Sequence, residues 1–355
     1  MNRTIRPVEP FDRPRPGDAV HVGIDLGTSQ SSISASNDRR AVVASFAGWP
    51  VDSIAARLVG EAVVVGSEAL EKRSMLDLHR PLEQGVVKRG SAREVEAIRA
   101  IVRRLLDEVG AEEGTTVRAV VGVPAEALRI NRQELRQALA GMVTQLMIVS
   151  EPFAVGYGLE ALLHSLVVDL GAGTTDLCVL QGRFPSERDQ RTLTVAGDSI
   201  DRHLLDAVGA RYPEASLSIH MVRRWKEEHG FVGDRSEAVI VEAPIDGRPT
   251  KLDIGREMRA ACAALVPPVV ETIVELVSRV EPDFQSRVRQ NVILAGCTSR
   301  IRGLGEEIER RLQEMGETSV KQVTDPVYAG SDGGLAIALD AAESDWERLP
   351  NVVHG

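Results

Sequence analysis

The chain has 355 residues, enough for two domains of ordinary size, and 43% of them are apolar, which excludes global disorder. Its net charge of −10 argues against a general nucleic-acid binder. Cys178, Cys262 and Cys297 show no CxxC spacing, and the histidines form no HExxH-type cluster, so neither a disulfide framework nor structural zinc is expected.

The opening "MNRTIRPVEPFDRPRPGD" is rich in proline and arginine and has no apolar stretch. It predicts an unstructured arm over 1–18 rather than a signal peptide. No run reaches the roughly 18 uninterrupted apolar residues of a bilayer span, so no transmembrane segment is expected. "HVGIDLG" (His21 to Gly27) reads as a strand that ends in a turn. Ser91 followed by Glu94 reads as a capping box. Val95, Ile98, Ile101, Val102 and Leu105 then fall on one helical face, and Gly110 suits the stop. Short buried strands ending in Gly or Pro are predicted at 118–127, 145–152, 165–171 and 291–297. "VVETIVELVSRV" (Val269 to Val280) is apolar on more than one side and predicts a buried helix, with Pro267 and Pro268 in its first turn. "LGEEIERRLQEMG" (Leu304 to Gly316) predicts an amphipathic helix. The alternation indicates an α/β layered fold. The closing "DWERLPNVVHG" (Asp345 to Gly355) is expected to be an unstructured tail, with a docking peptide as the alternative.

One phrase occurs twice. "VGIDLGTSQSSI" (Val22 to Ile33) has a counterpart in "VVDLGAGTTDL" (Val167 to Leu177), with the aspartates 144 residues apart. That interval is too long for a solenoid repeat and fits two similar domains around a shared cleft. Glycines at a strand tip let backbone N–H groups approach and bind an anion, phosphate in particular. A carboxylate beside a phosphate needs a cation between them, so Asp25 and Asp169 suggest a hydrated Mg²⁺ bridging them to a polyphosphate. Either phrase alone reads more readily as a tight turn with Asp as local cap; the pair reverses this and favours the site.

Six segments in order resemble the motifs of the actin superfamily, which embraces actin, the heat-shock ATPases, MreB and sugar kinases. "GIDLGTS" (Gly23 to Ser29) resembles its first phosphate loop and "VVDLGAGTTDL" the second. "VSEPFAVGYGL" (Val149 to Leu159) resembles the first connecting motif, and "ILAGCTSRIRGL" (Ile293 to Leu304) the adenosine motif. "VAGDSIDRHLLDAV" (Val195 to Val208) and "RRWKEEHGFVG" (Arg223 to Gly233) resemble the helix after the second hairpin and the purine-side helix. Chain length and the small insert at 43–87 resemble the MreB-type bacterial branch, and the wording of that insert resembles the magnetosome-filament actins. A heat-shock ATPase would carry a long C-terminal peptide-binding domain.

The resemblance implies an actin-like two-domain ATPase fold, with two RNase H-like α/β domains that each carry a smaller subdomain around a nucleotide cleft. Domain I would span 19–150, with an insert at about 38–88, and be completed by 325–344. Domain II would span 151–324, with an insert at about 203–282, and a tail would follow at 345–355. The implied activity is slow, polymerisation-coupled ATP hydrolysis with ATP/ADP and Mg²⁺ as cofactors. Filaments would form head to tail in the cytoplasm, and magnetosomes or another cargo, or an adaptor protein, would be the partner. A non-polymerising nucleotide-binding adaptor and a small-molecule kinase share the fold and remain as alternatives.

By the same resemblance Glu151 orients or deprotonates the attacking water. Thr174 and Thr175 lie by the γ-phosphate, and Gly27, Thr28, Ser29 and Gln30 cradle the β-phosphate. Gly171, Ala172 and Gly173 form the second cradle, with Gly197 just after it. Asp25 and Asp169 hold the magnesium through water. Lys226 and Glu227 form the purine- and ribose-side pair, although "RRWKEEH" also reads as a solvated helix face. Gly296, Cys297 and Thr298 pass under the nucleotide, and Asp332 with 333–336 forms the second connecting helix. Three departures are expected to matter. Cys297 replaces a second glycine, at roughly 1 kcal/mol or more if its φ is positive. Gln84 stands where relatives often have Asp, which would alter a polar contact near the metal. Gln30 is uncharged where eukaryotic actin has a lysine.

Overall fold

The computed structural model describes residues 19–88, 92–127, 132–233 and 237–349. The predicted arm and Ser91, the expected cap, lie outside them. The chain opens with an antiparallel meander of β1 (Val20–Leu26), β2 (Gln30–Ala35) and β3 (Arg40–Ala44). A small unit follows: β4 (Ala47–Pro50), α1 (Ser53–Val59), β5 (Val64–Val65), α2 (Ser67–Glu71) and β6 (Leu76–His79). Its own core is Phe46, Val59, Val64, Ala69 and Leu76. Asp52 caps α1 by accepting the N–H groups of Ile54 and Ala55. The hairpin β7 (Leu82–Glu83) and β8 (Val86–Val87) turns through Gln84 and Gly85 at φ +50° and +66°, the two positive angles of a type I′ turn.

α3 (Ala92–Glu108) buries Ile98, Ile101, Val102 and Leu105 on one face. It stops at Gly110 (φ +74°), where the Ala111 N–H reaches back to the Leu106 carbonyl. β9 (Val117–Val123), α4 (Arg132–Leu139) and β10 (Gln145–Ser150) complete the first sheet, and α5 (Glu151–Gly158) leaves it. A second meander then begins: β11 (Leu163–Leu170), β12 (Thr175–Gln181) and β13 (Gln190–Leu193). α6 (Gly197–Arg211), α7 (Ile219–His229), β14 (Ile240–Ile245), β15 (Arg248–Asp253), α8 (Gly255–Ala263), α9 (Val266–Ser278) and α10 (Pro282–Arg289) follow. β16 (Val292–Ala295), α11 (Leu304–Leu312), β17 (Val320–Gln322), α12 (Ala329–Asp340) and β18 (Glu347–Arg348) close the chain.

The two large sheets share one topology. The first runs β18-β10-β9-β1-β2-β3 and the second β13-β12-β11-β16-β17. In each, the first strand of the meander pairs in parallel with a strand from much later in its half: β1 with β9, and β11 with β16. These strands are buried and read as continuous apolar runs, as parallel strands covered on both faces do. Their carboxyl ends meet at one place, where ligands of open α/β sheets bind.

Beneath that place α5 and α12 cross. An added Cβ on Gly333 would lie 1.8 Å from the Ala154 carbonyl oxygen, and one on Gly158 would lie 2.8 Å from Gly333 Cα, so only glycine permits this approach. α12 also lies on β1, where a Cβ on Gly23 would meet the Ser331 carbonyl oxygen at 2.0 Å.

One expectation, the unstructured tail, needs correction, and one long apolar run is accounted for by the core. The run 255–278 (α8 and α9) is long and apolar enough to cross a bilayer by length and composition, although interrupted by polar residues. Half of its most apolar window is buried, with Met258, Cys262, Val266, Val269 and Ile273 in the core of the second sheet, the pattern of a core helix. The predicted tail is docked as far as 349. β18 pairs antiparallel with Gln145 and Leu146 of β10, and Trp346 and Leu349 are buried. Two apolar side chains with strand hydrogen bonds outweigh the polar residues between them; residues 350–355 lie outside the described part.

Candidate functional site

Where the strand ends converge, a cavity of about 400 Å³ separates the two sheets. Two hairpins form its lips. In the first, Asp25, next to last in β1, sits opposite Ser32 of β2, and Gly27 permits the turn: a Cβ there would lie 2.4 Å from the Gln30 carbonyl oxygen. In the second, Asp169 pairs in register with Asp176, and the Gly171 N–H closes the loop on the Thr174 carbonyl. The tips touch: a Cβ on Gly173 would lie 2.3 Å from Thr28 Oγ1. Asp25, Gly27, Thr28, Ser29 and Gln30 line the cavity from one side and Asp169, Gly171, Ala172, Gly173 and Thr174 from the other. The backbone N–H groups of two glycine-bearing turns thus border one space.

The floor is acidic. Glu151 opens α5 directly after β10 and packs beside Gly122 of β9. Burial pushes the Asp25 carboxyl up to about 6, with the Asp176 charge adding to it. Asp176 also rises to about 6 through burial, although its Oδ1 accepts bonds from Thr192 Oγ1 and the Ala125 N–H. Glu151 and Asp169 stand well above the usual carboxylate range, first by burial and then by the charges of their neighbours. No lysine or arginine among the described residues offsets these shifts. Asp176 Oδ2 is buried without a hydrogen-bond partner. Buried like charges and an orphaned oxygen fit a cation. Among the described residues no group of three Asp, Glu, His or Cys is arranged as a direct ligand set, so the fit is to a hydrated ion rather than a protein cage.

The far wall is built by α6, α7 and the turn after β16. Gly296 has φ +73°, and a Cβ there would lie 2.4 Å from both Asp169 Oδ1 and the Leu170 carbonyl oxygen. Thr298 Oγ1 donates to the Gly171 carbonyl (2.8 Å). Lys226 is not on a solvated face. It is buried, pairs with Asp201 (2.7 Å) and donates to the Gly197 carbonyl (3.0 Å), while the neighbouring Glu227 is open to the cavity.

Several expected residues behave differently. Thr175 is fully buried, does not line the cavity, and spends its hydroxyl on the Val195 carbonyl (2.8 Å); as the first residue of β12 it faces the sheet interior. Gly197 lies just behind the wall, where a Cβ would come within 2.9 Å of Thr298 Oγ1. Cys297 does line the cavity but begins a 3₁₀ turn without positive φ, so the expected backbone strain is absent; only Gly296 carries that conformation. Its thiol accepts a bond from Gln30 Nε2 across the cleft (3.1 Å) and is pushed up to about 11, chiefly by burial, against the lowering charge of Arg300. Gln84 is exposed, and it is Gly85 that lines the cavity. Asp332 with 333–336 does lie in a helix, α12, and its carboxylate accepts Ser34 Oγ (2.6 Å) and pairs with Arg40 (2.8 Å), pinning α12 to the first meander.

Sequence reading missed Asp176, Asp198 and Arg223, of which the last two line the cavity. Asp176 was detectable, because residues paired in register on antiparallel strands point to the same face, and "DLGAGTTD" sets it opposite Asp169.

Two like-folded α/β domains, each offering a glycine-tipped hairpin to an acid-floored cleft between them, define the actin fold. The chain belongs to the MreB/Mbl protein family, which matches residues 19–344. Similar relatives are the actin-like protein MamK of Paramagnetospirillum magneticum, 37% identical over 94% of this chain and 96% of that one, and MamK of Magnetospirillum gryphiswaldense, 38% identical over 94% and 92%. The fold superposes on a chain of the MamK double helical filament with a TM-score of 0.89 at 37% identity, covering 92% of this chain and all of that one. It superposes on a non-polymerising MamK mutant bound to AMPPNP with a TM-score of 0.69 at 37% identity, covering 91% and 99%.

Proposed function

We propose that this chain is a MamK-type bacterial actin: a slow ATPase that binds ATP with Mg²⁺ between its domains and assembles head to tail into cytoplasmic filaments. The observation that carries the proposal is the meeting of Asp25, Asp169, Asp176 and Glu151, all with raised carboxyls, under two glycine-bearing hairpin tips. An unneutralised acid floor beneath paired anion nests suits a polyphosphate accompanied by a divalent ion.

In this reading domain I spans 19–150 and is completed by 325–344, and domain II spans 151–324. The backbone donors of 27–30 and 171–174 hold the β- and γ-phosphates. Asp25 and Asp169 hold the waters of the ion, with Asp176 beside them. Bound Mg²⁺ would neutralise charge on the polyphosphate and on the floor. Glu151, whose carboxyl is held well above the usual range by burial and then by its neighbours' charges, orients the attacking water and takes its proton, and a raised carboxyl is a better base than an ordinary one. Thr174 adds a donor, whereas Thr175 supports the strand from within. Lys226 steadies the backbone at Gly197 through its pair with Asp201. Glu227 faces the ribose and purine side, and Gly296 with Thr298 forms the surface beneath.

ATP contacts both domains, so it biases their closure by differential binding. A contact between unlike ends of successive copies does not close on itself and yields a filament. The resemblance to MamK makes magnetosomes the first cargo to test. Sedimentation in ATP, ADP and a non-hydrolysable analogue, each with Mg²⁺, tests the proposal: ATP and the analogue should pellet the protein, ADP should not, and only ATP should release phosphate. Sedimentation indifferent to nucleotide would contradict it.

A further inference from the structure

We propose that Arg80 is a positioning residue, a clasp that holds the two lips of the cleft together and links their closure to the small unit at 46–79. The inference rests on the nucleotide reading of the cleft. Arg80 immediately follows β6 and does not line the cavity. Its Nε donates to the Thr28 carbonyl (2.8 Å), and Nη1 and Nη2 donate to the two carboxylate oxygens of Asp198 (2.8 and 3.0 Å). Thr28 is the tip of the first hairpin. Asp198 is the second residue of α6, and its own N–H donates to the Ala172 carbonyl (2.7 Å) in the second hairpin. One guanidinium therefore joins residues from opposite sides of the cleft.

The clasp is braced at both ends. Arg223 Nη2 reaches Asp198 from α7 (2.9 Å), and Arg223 Nε pairs with the fully buried Asp201 (2.8 Å). On the other side the Arg80 guanidinium lies over the Phe46 ring at 6.0 Å, and Phe46 meets His220 of α7 edge-on at 6.5 Å. Phe46 belongs to the core of the small unit, so Arg80 and Phe46 together tie that unit to α6 and α7. The fork geometry is specific to arginine: it serves a carboxylate bidentately while a third N–H serves the carbonyl, which a lysine ammonium cannot match. Side chains of Arg80 and Asp198 are 21% and 19% exposed, so water only partly screens the pair.

Two consequences follow for a nucleotide seated between the hairpins. It leaves only when the lips part, which breaks the bonds of Arg80. Because Arg80 hangs from β6, parting the lips also frees the small unit from domain II. Arg80 thus acts through Thr28 and Asp198 on residence time, not on the reacting atoms.

The test is the rate at which a fluorescent ADP leaves the intact protein in Mg²⁺, measured for wild type, Arg80→Ala, Arg80→Lys, Asp198→Asn and the Arg80→Ala/Asp198→Asn double variant. Arg80→Ala should release it about tenfold faster, the scale of one charge-assisted hydrogen bond, with Arg80→Lys between the two. The effect of the double variant should fall well short of the product of the two single effects, because both singles break the Arg80–Asp198 contact while each also loses one contact of its own, Arg80 to Thr28 and Asp198 to Arg223. Melting of the nucleotide-free proteins identifies any variant that has simply lost its fold, and Arg80→Lys preserves the charge and stem in that event. Release from Arg80→Lys and Arg80→Ala within twofold of wild type, or single effects that multiply in the double variant, would overturn the clasp. If wild type takes up no Mg-nucleotide, the reading of the cleft falls with it; if it does and release is unchanged, the clasp alone falls.

Discussion

Asp25, Glu151 and Asp169 crowd the floor of the cleft with Asp176 close behind, and no lysine or arginine among the described residues offsets their raised carboxyls, whereas the crossing of α5 and α12 directly beneath brings glycine backbones together with no slack. Glu151 begins α5, and Asp25 lies on the strand that α12 covers, so the two regions share their elements. The floor stores unfavourable energy in buried like charges; the crossing supplies the close packing that keeps it from relaxing. A site that must wait for a cation is held open by neighbours that cannot yield.

Each side of that contrast can be broken separately, and the largest effect belongs to the floor. Glu151→Gln should retain nucleotide while phosphate release falls about 10²- to 10⁴-fold, the usual contribution of a positioned acid-base group; a single-turnover phosphate assay reads this. At the crossing, Gly333→Ala places a methyl group 1.8 Å from the Ala154 carbonyl oxygen. It should cost about 3 kcal/mol or more, or prevent folding, as thermal or denaturant unfolding will show.

A smaller effect of opposite sign is expected from Asp25→Asn. It removes one buried like charge, so the nucleotide-free protein should gain on the order of 1–3 kcal/mol at pH 7.5 while its Mg²⁺-dependent affinity falls. The same shift sets a pH dependence. A carboxyl that titrates at about 6 in the fold, and lower when unfolded, stabilises the fold fully below its unfolded value and loses that contribution as pH rises through 6. Melting of the nucleotide-free protein should therefore fall between about pH 4 and pH 7 from this cause, and Mg-nucleotide should flatten the slope. The smallest effect is Cys297→Gly. Because Cys297 has no positive φ, the glycine relieves nothing and should lower stability by about 0.5–1 kcal/mol through chain entropy; a melting temperature that rises would restore the expectation of strain.

The two regions were not equally legible in the sequence. The floor was, because strands ending in Asp-Leu-Gly announce a turn with a carboxylate at its base, and two such phrases announce a pair. Glu151 came with the connecting motif. Asp176 was missed although hairpin register fixes it opposite Asp169. Thr175 was misplaced because the alternation of a strand, which turns every second side chain inward, was not carried to the first residue of β12. Arg80 had no local signal: its partners are 52 and 118 residues away, so only the fold brings them together. The tail failed for a related reason. Trp346 and Leu349 look isolated among polar residues until the edge of β10 is there to receive them.

The most direct test of the central claim is calorimetric titration of ATP into the protein with Mg²⁺ and with EDTA, repeated on Asp169→Asn. Paired phosphate nests above an unneutralised acid floor predict affinity at least about tenfold higher with Mg²⁺ and loss of most of that advantage in Asp169→Asn. Equal binding in Mg²⁺ and EDTA, left unchanged by Asp169→Asn, would contradict it.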